Sequence, residues 1–176
     1  MAVKLYRGMT LAQWTSGDGL SRRGTETEEQ LYAGDTHVGA GDPFVHVGGP
    51  CEGNALSMHT IDSNIYKLAF LSFTLSFDVA AYYSLQRRMG IDHEAVVIQT
   101  SADHLANIGI RTVINSQRVP WEQEVTLVMD GHATLPLAAV TEVHRIDIFQ
   151  LRQSASNLYS AWPDIAAPDF LRDVGF

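Results

Sequence analysis

The segment Pro120-Trp-Glu-Gln-Glu-Val-Thr-Leu-Val128 carries two carboxylates, Glu122 and Glu124, at the start of an apolar run. In extended backbone, side chains two positions apart share a face. A strand over 122–129 therefore sets both carboxylates on one surface. Like charges so placed repel, and a fold gains no stability from the arrangement. A cleft that stabilises a cation or moves a proton does have a use for it. The alternative is an exposed strand end with two solvated glutamates.

Two other segments carry groups that could serve such a cleft. In Phe70-Leu-Ser-Phe-Thr-Leu-Ser-Phe77, the hydroxyls of Ser72, Thr74 and Ser76 alternate with Phe73, Leu75 and Phe77. A strand here has one hydroxyl face, able to donate to a carboxylate or to ligand hydroxyls. The alternative is a half-exposed strand followed by a helix cap at Ser76. In Leu5-Tyr6-Arg7-Gly8, an arginine at a strand end can grip a phosphate or carboxylate with its planar fork, and glycine permits close backbone approach. The alternative is a surface charge.

Taken in this order and spacing, the three segments resemble the arginine–serine–glutamate (R-S-E) class of mono-ADP-ribosyltransferases, which includes bacterial toxins and effectors. Its pattern is an aromatic residue and arginine, then a Ser-Thr-Ser strand, then Glu-x-Glu. Tyr6-Arg7 matches the first element and Ser72-Phe73-Thr74 the second, with Val79-Ala80 following as in many members. Glu122-Gln123-Glu124-Val125 matches the third, preceded by Pro120. Phe73 stands where threonine is usual, and residues 15–54 match no element of the pattern. The resemblance spans positions 5 to 128.

The resemblance implies an α+β fold with two small, mainly antiparallel sheets packed at an angle, flanking helices and an NAD cleft between the sheets. It implies that Arg7 holds the phosphates of NAD⁺, with Tyr6, Gly8 and Thr74 in the same binding site. It implies that Ser72 orients Glu124, that Glu124 holds the ribose and stabilises an oxocarbenium-like transition state, and that Glu122 serves the acceptor. NAD is then a substrate, and the acceptor is a macromolecule. Glu-x-Glu resembles members that modify protein arginine, although some such members modify nucleic acid. An immunity protein or antagonist is a further partner that a toxin of this class implies. Three rivals stay open: NAD⁺ hydrolysis with water as acceptor, ADP-ribosylation of RNA or DNA, and a non-enzymatic binding module.

Other chemistry fits less well. The seven histidines are scattered, and none has metal-ligand spacing with Cys51 or a carboxylate, so no metal site is expected. Cys51 has no clear histidine partner in sequence. Gly39-Ala-Gly41 follows no strong strand and opens no helix, so it is not a dinucleotide fingerprint.

The elements that must position these groups read as follows. A strand covers Val3 to Tyr6, and Thr10 caps a short helix begun by Leu11 to Trp14. Between Thr15 and Asn54, glycines and prolines break the periodicity. Within it Glu26 to Tyr32 looks helical and Phe44 to Val47 extended, and the whole reads as a mobile covering loop. Strands follow at Leu68 to Thr74, Ala95 to Gln99, Glu122 to Met129 and Leu137 to Ile148. A helix covers Asp78 to Met89, and Ser101 caps a helical turn to Ile108. Beyond Gln150 the pattern is mixed, with an irregular arm from Trp162 to Phe176.

The chain of 176 residues is expected to be one domain, 1–176. Its net charge of −8 disfavours a nucleic-acid partner. Its single cysteine excludes an intrachain disulfide. The N-terminus has no apolar signal-peptide core, and Leu68 to Tyr83, interrupted by Asp78, is too short and polar to span a bilayer. A soluble chain without a membrane partner is expected. Secretion or delivery into a target cell would use a route that this sequence does not encode.

Overall fold

The computed structural model describes residues 2–28, 50–61, 67–85, 94–114 and 121–163. Among them, six strands form one antiparallel sheet: β1 (Lys4–Thr10), β2 (Phe70–Thr74), β3 (Ala95–Ser101), β4 (Arg111–Ile114), β5 (Glu124–Val128) and β6 (Glu142–Ile146). The helices are α1 (Leu11–Ser16), α2 (Glu52–Ile61), α3 (Phe77–Leu85), α4 (Ala102–Asn107) and α5 (Ile148–Ala161). The strand order is β4-β5-β2-β1-β3-β6.

Local chemistry explains many of the boundaries. Thr10 and Gln13 form a reciprocal capping box at α1, and Gly17 ends it in the left-handed region at φ 80°. Ser76 Oγ accepts from the Val79 amide at the start of α3, and Ser101 Oγ accepts from the His104 amide at α4. Asp147 and Gln150 form a second capping box at α5.

The pairing within the sheet is uneven. β1 pairs with β3 from Lys4↔Ser101 to Thr10↔Ala95, and β2 with β5 from Phe70↔Val128 to Thr74↔Glu124. Between β1 and β2 the register has one pair, Tyr6↔Thr74. The sheet is thus two three-stranded halves, β4-β5-β2 and β1-β3-β6, joined at a narrow seam. The α+β class agrees with the sequence reading. The expected pair of separate sheets with a cleft between them does not: the Tyr6–Thr74 pair makes the sheet continuous.

One face of the sheet carries the larger core. Leu5, Met9, Leu71, Phe73, Val96, Ile98, Val125 and Leu127 meet Leu20, Leu105, Ile110 and Leu135 there. Each such side chain, once buried, contributes roughly 1.5–3 kcal/mol. On the opposite face, α3 and α5 cover the β1-β3-β6 half, packing Ala80, Ala81 and Leu151 on Ala95, Val97 and Ile146. Over the other half, Ala55 of α2 packs with Leu68, Phe70 and Val128. Ser72, Thr74 and Glu124 lie on this second face, between α3 and α2.

Several elements differ from the sequence reading. β1 runs on to Thr10 because β3 pairs with its full length, so Arg7 and Gly8 are mid-strand rather than at a strand end. β5 begins at Glu124: Gln123 has φ 48°, which breaks the extended backbone and leaves Glu122 in the preceding turn. The period-two argument for a shared face therefore does not apply to Glu122. β2 ends at Thr74, and Ser76 belongs to the α3 cap. Helices α2 and α5 and strand β4 were not expected. Residues 137–148 divide into a 3₁₀ turn at Leu137–Ala139 and β6. Residues 26–28 are not helical, while 29–32, 44–47, 86–89 and 164–176 lie outside the described residues, as does most of the expected covering loop. No helix among the described residues is long and apolar enough to cross a membrane.

Candidate functional site

Arg7 of β1 meets the Ser72 backbone of β2 at the seam, and Ser72 in turn neighbours Glu124 of β5. Thr74 pairs with Glu124 in register, which makes Ser72 the diagonal neighbour of Glu124 on the same face. The Ser72 hydroxyl lies on the same face as the Glu124 carboxylate and favours its ionised form. Arg7 spans the point where the β1–β2 ladder stops. Its Nη1 donates to the Ser72 carbonyl at 2.7 Å and its Nε to the Gly19 carbonyl at 2.8 Å.

Glu122 joins the group from the turn before β5. The Thr74 hydroxyl donates to the Glu122 carbonyl at 2.6 Å, and the Leu75 amide to the Gln123 carbonyl at 3.2 Å. These bonds fasten the turn to the end of β2. The Glu122 side chain accepts a hydrogen bond from the Tyr83 phenol on α3. Trp121 stacks on Tyr83, with centroids 6.1 Å apart and planes 7° apart, and meets Tyr82 edge-on at 5.8 Å.

Behind Ser72 lies a residue that no motif indicated. His59 of α2 places Nε2 2.9 Å from Ser72 Oγ. Its ring meets Phe70 edge-on at 5.5 Å and is 6 % exposed.

The electrostatics follow from this burial. Desolvation raises the Glu124 pKa; the Ser72 hydrogen bond lowers it, and the charge on Glu122 raises it further. Burial also raises the Glu122 pKa, against the lowering effect of Tyr83. Tyr83 is pushed upward by burial and by its bond to Glu122. Burial, then the positive charges of Arg7 and Arg23, lower His59 to about 4, so its ring is neutral at physiological pH. A desolvated carboxylate favoured in its ionised form by a neighbouring hydroxyl can stabilise a cation that develops beside it.

The remaining expected ligand residues are placed differently. Tyr6 packs edge-on against Phe77 at 5.7 Å, under α3. Gly8 lies beneath the same helix, where a Cβ would sit 1.7 Å from the Ala80 carbonyl oxygen. Its missing side chain is what lets α3 approach the sheet. Thr74 is 6 % exposed and spends its hydroxyl on the Glu122 carbonyl. Among the described residues, no cluster of three or more His, Cys, Asp or Glu is placed to hold a metal ion.

Sequence reasoning missed His59, Tyr83 and Trp121. Trp121 had a signal, since it directly precedes Glu122. Tyr83 and His59 reach the site only through tertiary packing of α3 and α2. No protein-family profile matches this chain, and no curated protein matches it.

Proposed function

We propose that this chain is an NAD⁺-dependent mono-ADP-ribosyltransferase whose acceptor is an arginine side chain of a protein. One observation carries the reading: the Ser72 hydroxyl engages the Glu124 carboxylate while Arg7 is held on the carbonyl of that same serine. These are the side chains that the R-S-E resemblance picks out, drawn from three distant parts of the chain. In this reading Arg7 binds the pyrophosphate and Glu124 accepts from the ribose hydroxyl. Its charge stabilises the sugar cation as the bond to nicotinamide breaks and the electron pair leaves with the ring. Nicotinamide is a good leaving group, so fixed geometry matters more than acid catalysis. Glu122, steadied by Tyr83, takes the proton of the incoming nitrogen. The same resemblance suggests a bacterial toxin or effector.

The test is incubation with labelled NAD⁺ and cell lysate, followed by protease or nuclease digestion. Protease-sensitive label that is absent with Glu124→Gln is the expected result. Nuclease-sensitive label would move the acceptor to RNA or DNA. Free ADP-ribose without labelled macromolecule would make the chain a hydrolase. Absence of NAD⁺ binding by calorimetry would leave a non-enzymatic module.

A further inference from the structure

His59 lies outside all three motif segments, yet it touches the hydroxyl that holds Glu124. Its Nε2 is 2.9 Å from Ser72 Oγ, while its Nδ1 is buried and has no hydrogen-bond partner among the described residues. A serine hydroxyl has one proton. An ionised carboxylate can only accept, so the Ser72 proton points to Glu124. The Ser72–His59 bond must then take its proton from the ring. Nε2–H donates to Ser72 Oγ, and Nδ1 carries only a lone pair. An acceptor left unpaired in the interior is more readily tolerated than an N–H. The opposite direction, with Ser72 donating to Nε2 as in a nucleophile–base pair, would put the ring proton on Nδ1. Among the described residues nothing accepts it, and none orients the base as such pairs require.

We infer that His59 is a positioning residue: its Nε2–H fixes the Ser72 hydroxyl so that the serine proton is aimed at Glu124. This rests on reading the site as an ADP-ribosyl transfer centre. Burial of the ring beside Arg7 and Arg23 keeps it neutral, in the form with one N–H to give. The geometry explains why a serine, with a single proton, can hold the carboxylate in one place: the imidazole removes the freedom of its rotor.

Two sets of measurements on the full chain test the inference. In the first, without ligand, ¹⁵N NMR at neutral pH should show His59 protonated at Nε2 alone. The Glu124 carboxyl ¹³C titration midpoint should rise in His59→Phe and in Ser72→Ala, and stay near wild type in His59→Gln, whose amide N–H can replace Nε2–H. An Nδ1–H tautomer, or an unmoved midpoint in His59→Phe, overturns the inference. In the second, NAD⁺ consumption by His59→Phe should lose kcat by roughly 10²-fold, the scale of a misplaced catalytic group. KM should change little, and His59→Gln should recover most of the rate. Adding His59→Phe to Ser72→Ala should cause no further loss. Multiplying losses, equal damage in Gln and Phe variants, or labelling of Ser72 by a fluorophosphonate each overturn it. A wild-type chain that consumes no NAD⁺ overturns the transfer reading alone, because the spectra still decide what His59 does to Ser72 and Glu124. The spectrum of the wild type also decides if His59→Phe does not fold.

Discussion

Arg7 spends two of its nitrogens on backbone carbonyls, at Gly19 and Ser72. Lysine has no planar fork and can serve only one geometry at a time. Arg7→Lys should therefore weaken NAD⁺ binding by calorimetry and also lower Tm. The loss of one such bond is about 1 kcal/mol, or roughly 2–4 °C for a chain of this size. Unchanged affinity would remove Arg7 from the site, whatever happened to Tm. Glu124→Gln tests the carboxylate. The amide oxygen still accepts from Ser72, but the charge is gone, so transfer and hydrolysis should both fall by about 10²-fold or more. Stability should move the other way. Burial raises the Glu124 pKa, so the ionised form is disfavoured in the fold and stability is lost as pH rises through that pKa. The uncharged variant should melt higher than wild type at pH 7.5, and a lower melting temperature would contradict the burial argument. Glu122→Gln should spare hydrolysis more than transfer, because Glu122 is assigned to the acceptor. Equal loss of both activities would remove that division.

At the scale of elements, Gly8 and Gly53 make opposite predictions. An alanine Cβ at Gly8 would overlap the Ala80 carbonyl oxygen at 1.7 Å and stand 2.8 Å from the Ser84 nitrogen. Backbone cannot yield as a side chain can, so α3 must lift. Overpacking of this kind costs about 1–3 kcal/mol, and the shift would carry Tyr83 away from Glu122. Gly8→Ala should lower both Tm and transfer activity. Gly53, exposed in α2, has only Cys51 Sγ at 3.9 Å, and alanine there should gain roughly 0.5–1 kcal/mol of helix stability. A thermal melt of the two variants checks both signs. These elements were unequally legible in the sequence. The caps at Thr10, Ser76 and Ser101 act within three residues, so local pattern reveals them. The alternation in 70–74 and the apolar run in 95–99 likewise mark buried strands. By contrast, β4 is four residues paired, among the described strands, with β5 alone, and α2 follows a glycine-rich stretch that hides its start. The Asp147–Gln150 capping box was present in the sequence but read as part of a mixed tail. Glu122 was misplaced because φ 48° at Gln123 is set by the bonds from Thr74 and Leu75, which no period-two reading contains.

For the whole molecule, His59 sets a pH dependence of stability. Its folded pKa is depressed to about 4 from 6.5, so the unfolded chain takes up a proton first as pH falls. The contribution is fully present above about pH 6.5 and declines towards pH 4, by up to roughly 3 kcal/mol. Glu122 and Glu124, with raised values, have the opposite sign over their own range. The difference between wild type and His59→Gln cancels the carboxylates. Urea unfolding at pH 7 and pH 4.5 should show a smaller acid loss in the variant, and parallel losses would contradict it. The strand order has another consequence. The chain starts with β1 on one side of the seam, crosses for β2, returns for β3, crosses again for β4 and β5, and returns for β6. Neither side is a continuous stretch of sequence, so neither can be completed while the other is missing. Contacts so distant along the chain make for slow folding. During synthesis, β2 must wait for β5 to emerge before its outer edge is paired. A chain truncated before Glu124 would lack the carboxylate and leave Phe70 to Thr74 as an open, apolar edge, which is the kind of strand that drives aggregation. The arrangement of Arg7, Ser72 and Glu124 thus forms only once β5 has been made, and loss of the segment from β5 onward should yield insoluble protein.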